Sequence, residues 1–435
     1  MEALRDVLGE AAGLLREFAV GTVRTTAALW PQLLGLALLG WLAPEVALKA
    51  ALLMPIDRPY LVLAVFSVGF LGTLVCTVLM IRMAATHAAS RRARGAASPD
   101  GRGATQVLAS TLLPFLGMYA AFDHVQESAR ELSNQSIAKG GIFEGTLISH
   151  LDPFTSPRKA VLVLLLIVGT YVIRRLVDLA HDRTGWRPLG FLVVVLESYF
   201  LLVVLMAGKQ FLERAGNWWH GRRLQQWLDG PWQGIVDALR SLHIDLPAII
   251  LAAGRLLGQF VPVLLEVLAE PLIWLAIAAL VMGSRMLELS DVVRVGRRSR
   301  PHRTTTSPLA RGWGEFRRAF LGDIDDKYLP TVQALGMLLR AGLVLLGTYV
   351  LAWTALRALG NLWEKLVFDL VGGHRYIQFW VANQPWVTLL TTVPIEMLRA
   401  ALLGVAFTVC TEHLGRRQRS RTAAEPEPAT TEVTR

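Results

Sequence analysis

Stretches of about 20 residues almost free of charge alternate along this chain with short segments crowded with arginine. No other feature constrains the fold as much. An α-helix of about 20 apolar residues crosses the roughly 30 Å hydrocarbon core of a bilayer. Helices and closed barrels are the only structures that satisfy their backbone hydrogen bonds there. The expected class is therefore an all-α, polytopic helical integral membrane protein. Composition points the same way. Only 18% of the residues are charged and 53% are hydrophobic, against about 25% charged in an average soluble domain.

The apolar blocks predict eight spans: about 27–43, 60–85, 160–173 extended by its flanks, 189–208, 246–265, 271–287, 331–356 and 386–411. Trp30 and Trp41 stand near the ends of the first, where amphipathic rings prefer the headgroup level. Residues 105–122 are apolar but broken by Gln106, Ser110, Thr111 and Pro114, a pattern compatible with lying in the interface, re-entering or spanning. Within 1–26, Leu4, Val7, Leu8, Ala11, Leu15 and Phe18 share one helical face. This predicts an amphipathic helix, lying on the membrane surface or packed on the bundle. The Trp-rich stretch 209–245 suits a second interfacial helix, and 412–435 reads as a basic, disordered tail.

With both termini in the cytoplasm, the inner segments are the N-terminus, 86–159, 209–245, the basic loop 288–330 and the tail. They hold about 30 Lys and Arg, against about 8 outside, as the positive-inside rule favours. The weak point is an outer loop with Arg174, Arg175, Arg183 and Arg187. The net charge of +10 first raises nucleic-acid binding. Because the arginines sit between apolar blocks, they read instead as topology determinants and contacts to anionic lipid headgroups. The preference for Arg over Lys, beside abundant Ala, Gly and Leu, suggests a GC-rich bacterial genome and hence a bacterial plasma membrane.

The string Gly169-Thr170-Tyr171-Val172 recurs as Gly347-Thr348-Tyr349-Val350. In each half the next span carries a glutamate, Glu197 or Glu396, and the span before the basic loop ends in Arg-Met, Arg82-Met83 or Arg285-Met286. The matched order predicts a parallel 4+4 repeat, with 27–208 (cytoplasmic insertion 86–159) as the first membrane half and 246–411 as the second.

Charge inside a bilayer is costly and marks function by default. Glu197, Glu396, Arg399, Arg340 and Arg255 form the expected intramembrane polar site. Glu396 and Arg399 are three residues apart, so they can pair on one helix. Nothing on its own helix can neutralise Glu197, which predicts an Arg from another span, Arg340 or Arg255, or an open polar cavity. Pro394 donates no backbone hydrogen bond and frees the carbonyl of Leu390. The plainer reading of these charges is a set of buried ion pairs fixing helix register. Gly254 and Gly258 would let helices approach closely.

Cys76 and Cys410 lie in separate apolar blocks, which argues for buried small hydrophobes rather than a thiolate site. No zinc-protease, Cys-x-x-Cys, P-loop or nucleophile-elbow motif occurs. His150 with Asp152, and His181 with Asp182, lack a third partner for metal or acid–base chemistry. The expectation is a chain that is not an enzyme, needs no cofactor or metal and binds no nucleic acid. Its leading function is transporter-like or export-associated, for an amphipathic or anionic envelope substrate. The alternative is a non-transporting scaffold recruiting protein partners of an envelope assembly machinery. A membrane-bound lipid or sugar transferase ranks third, since the outer acidic and His residues, among them Glu45, Glu270 and Glu364, fit no known pattern.

Overall fold

The computed structural model describes residues 2–51, 53, 59–92, 115, 157–184, 186, 189–204, 267–282, 342–374 and 376–424. Among these residues the protein is almost entirely helical, with no strand. The helices are α1 (Glu2–Ala51), α2 (Pro59–Arg92), α3 (Pro157–Thr184), α4 (Leu189–Val204), α5 (Val267–Met282), α6 (Leu343–Val371) and α7 (Ala382–Ala424). A π-helical turn, Tyr376–Val381, leads into α7. The predicted segments 105–122 (Phe115 apart), 209–245, 246–265 and 288–330 lie outside the described residues, as do Gly254, Gly258, His150 and Asp152.

Four helices are long and apolar enough to cross a membrane: Arg5–Ala51, Tyr60–Arg91, Leu343–Val371 and Ala382–Gly415. Helices α4 and α5 are shorter apolar helices within two further predicted spans. Helix α3 shows what surrounds the bundle. Val161, Leu164, Leu165, Val168, Val172 and Leu176 form an outward stripe, each about half exposed or more. Such a stripe is a liability in water but is the ordinary lipid-facing surface of a membrane helix. By length and composition, the four long apolar helices suit a membrane.

Helices α1, α2 and α7 pack against one another, and α6 lies along α1 and α7. Small residues permit the close approach. A Cβ on Gly72 would stand 2.6 Å from the Ala43 Cβ, and one on Gly40 would stand 3.2 Å from the Cys76 Cβ. Residue numbers therefore fall on α1 as they rise on α2, and the two are antiparallel. Helix α7 meets α2 at Gly404, where a Cβ would be 2.6 Å from the Ala85 nitrogen. It meets α1 at Gly21, opposite Val405. Helix α7 thus runs parallel to α2 and antiparallel to α1. From Ala401 to Cys410 every residue of α7 is buried, making this the centre of the core.

The structure shifts several predicted boundaries. Helix α1 is one unbroken helix through both the predicted surface segment 1–26 and the first span. Its buried line runs Leu14, Phe18, Thr22, Thr25, Leu33, Ala37, steps of three, four and eight residues. Of the described side chains on the predicted apolar face, only Phe18 is fully buried, edge-on to Tyr349 at 6.5 Å, while Val7, Leu8 and Leu15 are exposed. Packing against α6 and α7 sets the rotation of α1, rather than the amphipathicity of its first turns. Helix α3 runs on to Thr184, so Arg174, Arg175 and Arg183 are helical rather than in a loop. The described part of the 331–356 span begins at Gly342 (φ 121°) and its helix continues to Val371, where Gly372 (φ 81°) closes it by donating to the Phe368 carbonyl. Helix α7 continues to Ala424, into the stretch read as a disordered tail.

Candidate functional site

Two of the four prolines inside α1 and α7, Pro44 and Pro394, each leave the carbonyl four residues earlier without its helical donor. Side chains from neighbouring helices supply the missing bonds. The Thr73 hydroxyl of α2 donates to the Gly40 carbonyl at 3.0 Å. The Trp363 indole of α6 donates to the Leu390 carbonyl at 2.9 Å. An unmet backbone carbonyl would be costly in hydrocarbon, so each proline fixes the partner helix at a defined register.

These two positions flank a polar stripe on α7. Gln384, Thr388, Thr392, Glu396 and Arg399 recur every three or four residues and so share one face. Arg399 Nη1 donates to Glu396 Oε1 at 2.6 Å, with both side chains about three-quarters buried. The same guanidinium lies over two indoles, 5.5 Å from the Trp353 ring centre and 5.9 Å from that of Trp274. Cation–π attraction and the carboxylate together hold it. Beneath it, Trp274, Trp353, Tyr349 and Phe18 form a chain of ring contacts at 6.3–6.5 Å. The Tyr349 hydroxyl donates to the Pro271 carbonyl at 2.9 Å, tying α6 to α5.

The stripe walls two cavities. One, of about 290 Å³, lies between α1, α2, α5 and α7, with Trp41, Glu45, Phe66, Phe70, Met80 and Trp274 on its other sides. The second, of about 400 Å³, lies between α5, α6 and α7 and meets Glu270, Trp353, Arg357, Asn361 and Glu364. Arg357 Nη1 donates to Glu270 Oε2 at 2.8 Å. Gln384, Thr388, Thr392, Glu396 and Arg399 line both cavities. Ligand sites have this form: concave and largely apolar, with a few converging polar groups.

The predicted site residues do not all meet. Glu396 and Arg399 stand together at the cavities. Glu197 lines neither cavity and is 5% exposed on α4. Its Oε1 lies 3.7 Å from Nη2 of Arg174 on α3. The expected partners, Arg340 and Arg255, lie outside the described residues. Arg174 was assigned to an outer loop because it follows the apolar block. The helix in fact continues through it and turns its guanidinium onto α4. The neighbouring Ser198 and Tyr199 donate to the carbonyls of Ser67 and Tyr60, fastening α4 to α2. His181 contacts the Trp186 carbonyl through Nδ1 at 3.1 Å. Cys76 and Cys410 are buried free thiols.

Sequence reasoning placed Glu270 and Glu364 in outer loops and overlooked Arg357, Trp274 and Trp353. The stripe Gln384–Thr388–Thr392–Glu396 was visible as four-residue spacing of polar groups in an apolar block. No protein-family model, no curated protein and no solved structure matches this chain.

Proposed function

We propose that this chain is a transporter-like or export-associated protein of a bacterial plasma membrane, acting on an amphipathic or anionic envelope substrate. One observation carries the reading. A cavity, largely apolar but walled on one side by the polar stripe of α7, lies among α1, α2, α5 and α7, which are helices of the two proposed halves. Transporters place substrate sites at such interfaces between repeats. The duplication has further support. Both copies of the Gly-Thr-Tyr-Val string lie on a helix that packs on the glutamate-bearing helix after it, through Tyr171 with Phe200 and through Gly360 against Ile395. Thr170 and Thr348 are both buried. With the termini in the cytoplasm, the cavity-lining residues Glu45, Glu270, Glu364 and Gln384 lie toward the outer end.

The rival reading, a non-transporting scaffold without enzymatic activity, draws on the length of α1. Its 50 residues extend about 75 Å, far beyond a hydrocarbon core of about 30 Å. The overhang would offer partners a helical surface.

Accessibility separates the two. In a Cys76→Ala/Cys410→Ala background, single cysteines at Thr388 and Thr392 are expected to react with a small membrane-impermeant thiol reagent applied from outside. Absence of reaction at both positions means a dry interface and favours the scaffold. Reaction only from the cytoplasmic side reverses the orientation.

A further inference from the structure

Gln384, Thr388, Thr392, Glu396 and Arg399 divide two cavities whose remaining walls differ in chemistry. The α1–α2 side presents Ala37, Leu48, Phe66, Phe70 and Met80. The α5–α6 side presents Glu270, Arg357, Asn361 and Glu364. A molecule filling both is an amphiphile, with its apolar portion on the first side and its headgroup on the second.

The ion pairs decide the sign of that headgroup. Arg357 is already held by Glu270 at 2.8 Å, and Arg399 by Glu396 at 2.6 Å. Glu364 is exposed on α6 and has no ion-pair partner among the described residues. Among the described residues the polar cavity therefore carries three carboxylates, Glu270, Glu364 and Glu396, against two guanidiniums, Arg357 and Arg399. Glu45 adds another carboxylate at the apolar cavity. An anionic headgroup would have to break an existing pair, stranding a carboxylate, and would also face Glu364. Such repulsion is how a site rejects the wrong partner.

We infer that the two cavities together take an amphiphile whose headgroup bears an ammonium, with that group beside Glu364 and the apolar portion between α1 and α2. The inference rests on reading the cavities as a substrate site and narrows the substrate to a cationic or zwitterionic amine.

The test uses the full chain in maltoside micelles, with decyltrimethylammonium and decyl phosphate as probes of equal chain length. Binding is read from indole fluorescence, to which Trp41, Trp274 and Trp353 contribute. The ammonium probe is expected to bind about ten-fold more tightly, a difference of 1.4 kcal/mol. Glu364→Gln should weaken it by roughly three-fold, the effect of one unit charge at about 6 Å in a water-like dielectric. Asp369→Asn, exposed on the same helix but not lining either cavity, should change nothing. Both substitutions are at exposed positions, so folding is not at stake. Equal or tighter binding of the phosphate overturns the inference and leaves the substrate-site reading standing. So does a Glu364→Gln variant that binds the ammonium unchanged. Failure of both probes to bind overturns the two together.

Discussion

Replacing Glu197 with Gln keeps the shape of the side chain and removes its charge. In the folded protein this removes the carboxylate beside Arg174, whose side chain is only 15% exposed. At the observed 3.7 Å separation, the direct attraction is about 4.5 kcal/mol in an effective dielectric of 20. Desolvation offsets much of that gain when the pair forms, yet removing one partner of a buried pair costs about 3–5 kcal/mol because the other charge is left alone. Glu197→Gln should therefore lower stability by roughly 3 kcal/mol or more and reduce the amount of protein in the membrane. Arg174→Met in the same chain removes the other charge of the pair, so the double variant should recover much of the loss. The assay is reversible unfolding in mixed micelles on all four members of the cycle, which isolates this pair from other interactions of Glu197. A Glu197→Gln cost that is unchanged when Arg174 is already Met would refute the pairing as its cause. Full stability of the single variant would refute the structural role altogether.

The bond from Thr73 to Gly40 predicts a second interaction energy. Thr73→Val should cost about 1–3 kcal/mol by leaving a buried carbonyl unmet, but much less when Pro44→Ala restores the helical donor; equal costs in both backgrounds would mean the carbonyl is not what Thr73 serves. Close packing predicts a third effect: Gly404→Val, with its Cβ 2.6 Å from the Ala85 nitrogen, should force α2 and α7 apart and lower stability by at least about 1–3 kcal/mol. Gly415→Ala, with nothing within 4 Å, should be tolerated, and equal melting temperatures for the two variants would show that the α2–α7 contact is not tight.

Much of the candidate site was written locally. The three-residue spacing of Glu396 and Arg399 brings them together on any regular helix, and Pro394 frees the Leu390 carbonyl wherever α7 packs. The sequence could not say that the Trp363 indole would meet that carbonyl, because the two lie on different helices. Nor could it say that Arg174 rather than a more distant arginine would reach Glu197. A long guanidinium side chain turns inward or outward according to what the neighbouring helix offers.

Hydropathy by itself pointed to long apolar helices able to cross a membrane, because the bilayer permits few ways of satisfying backbone polar groups and each leaves a charge-free block in the sequence. It also fixed where the long helices α2 and α7 lie, although α7 runs more than three turns past its predicted end. Tertiary structure alone decided that α1 is continuous, that its buried face runs through Leu14, Phe18 and Thr22, and that α7 is the centre of the core. It alone also decided that cavities flank Glu396. Between helices in a membrane there is little hydrophobic driving force to read from composition. Partner choice rests on where glycines permit contact, where prolines leave a carbonyl to be met, and which charges find one another, and these are properties of pairs of helices rather than of any one segment.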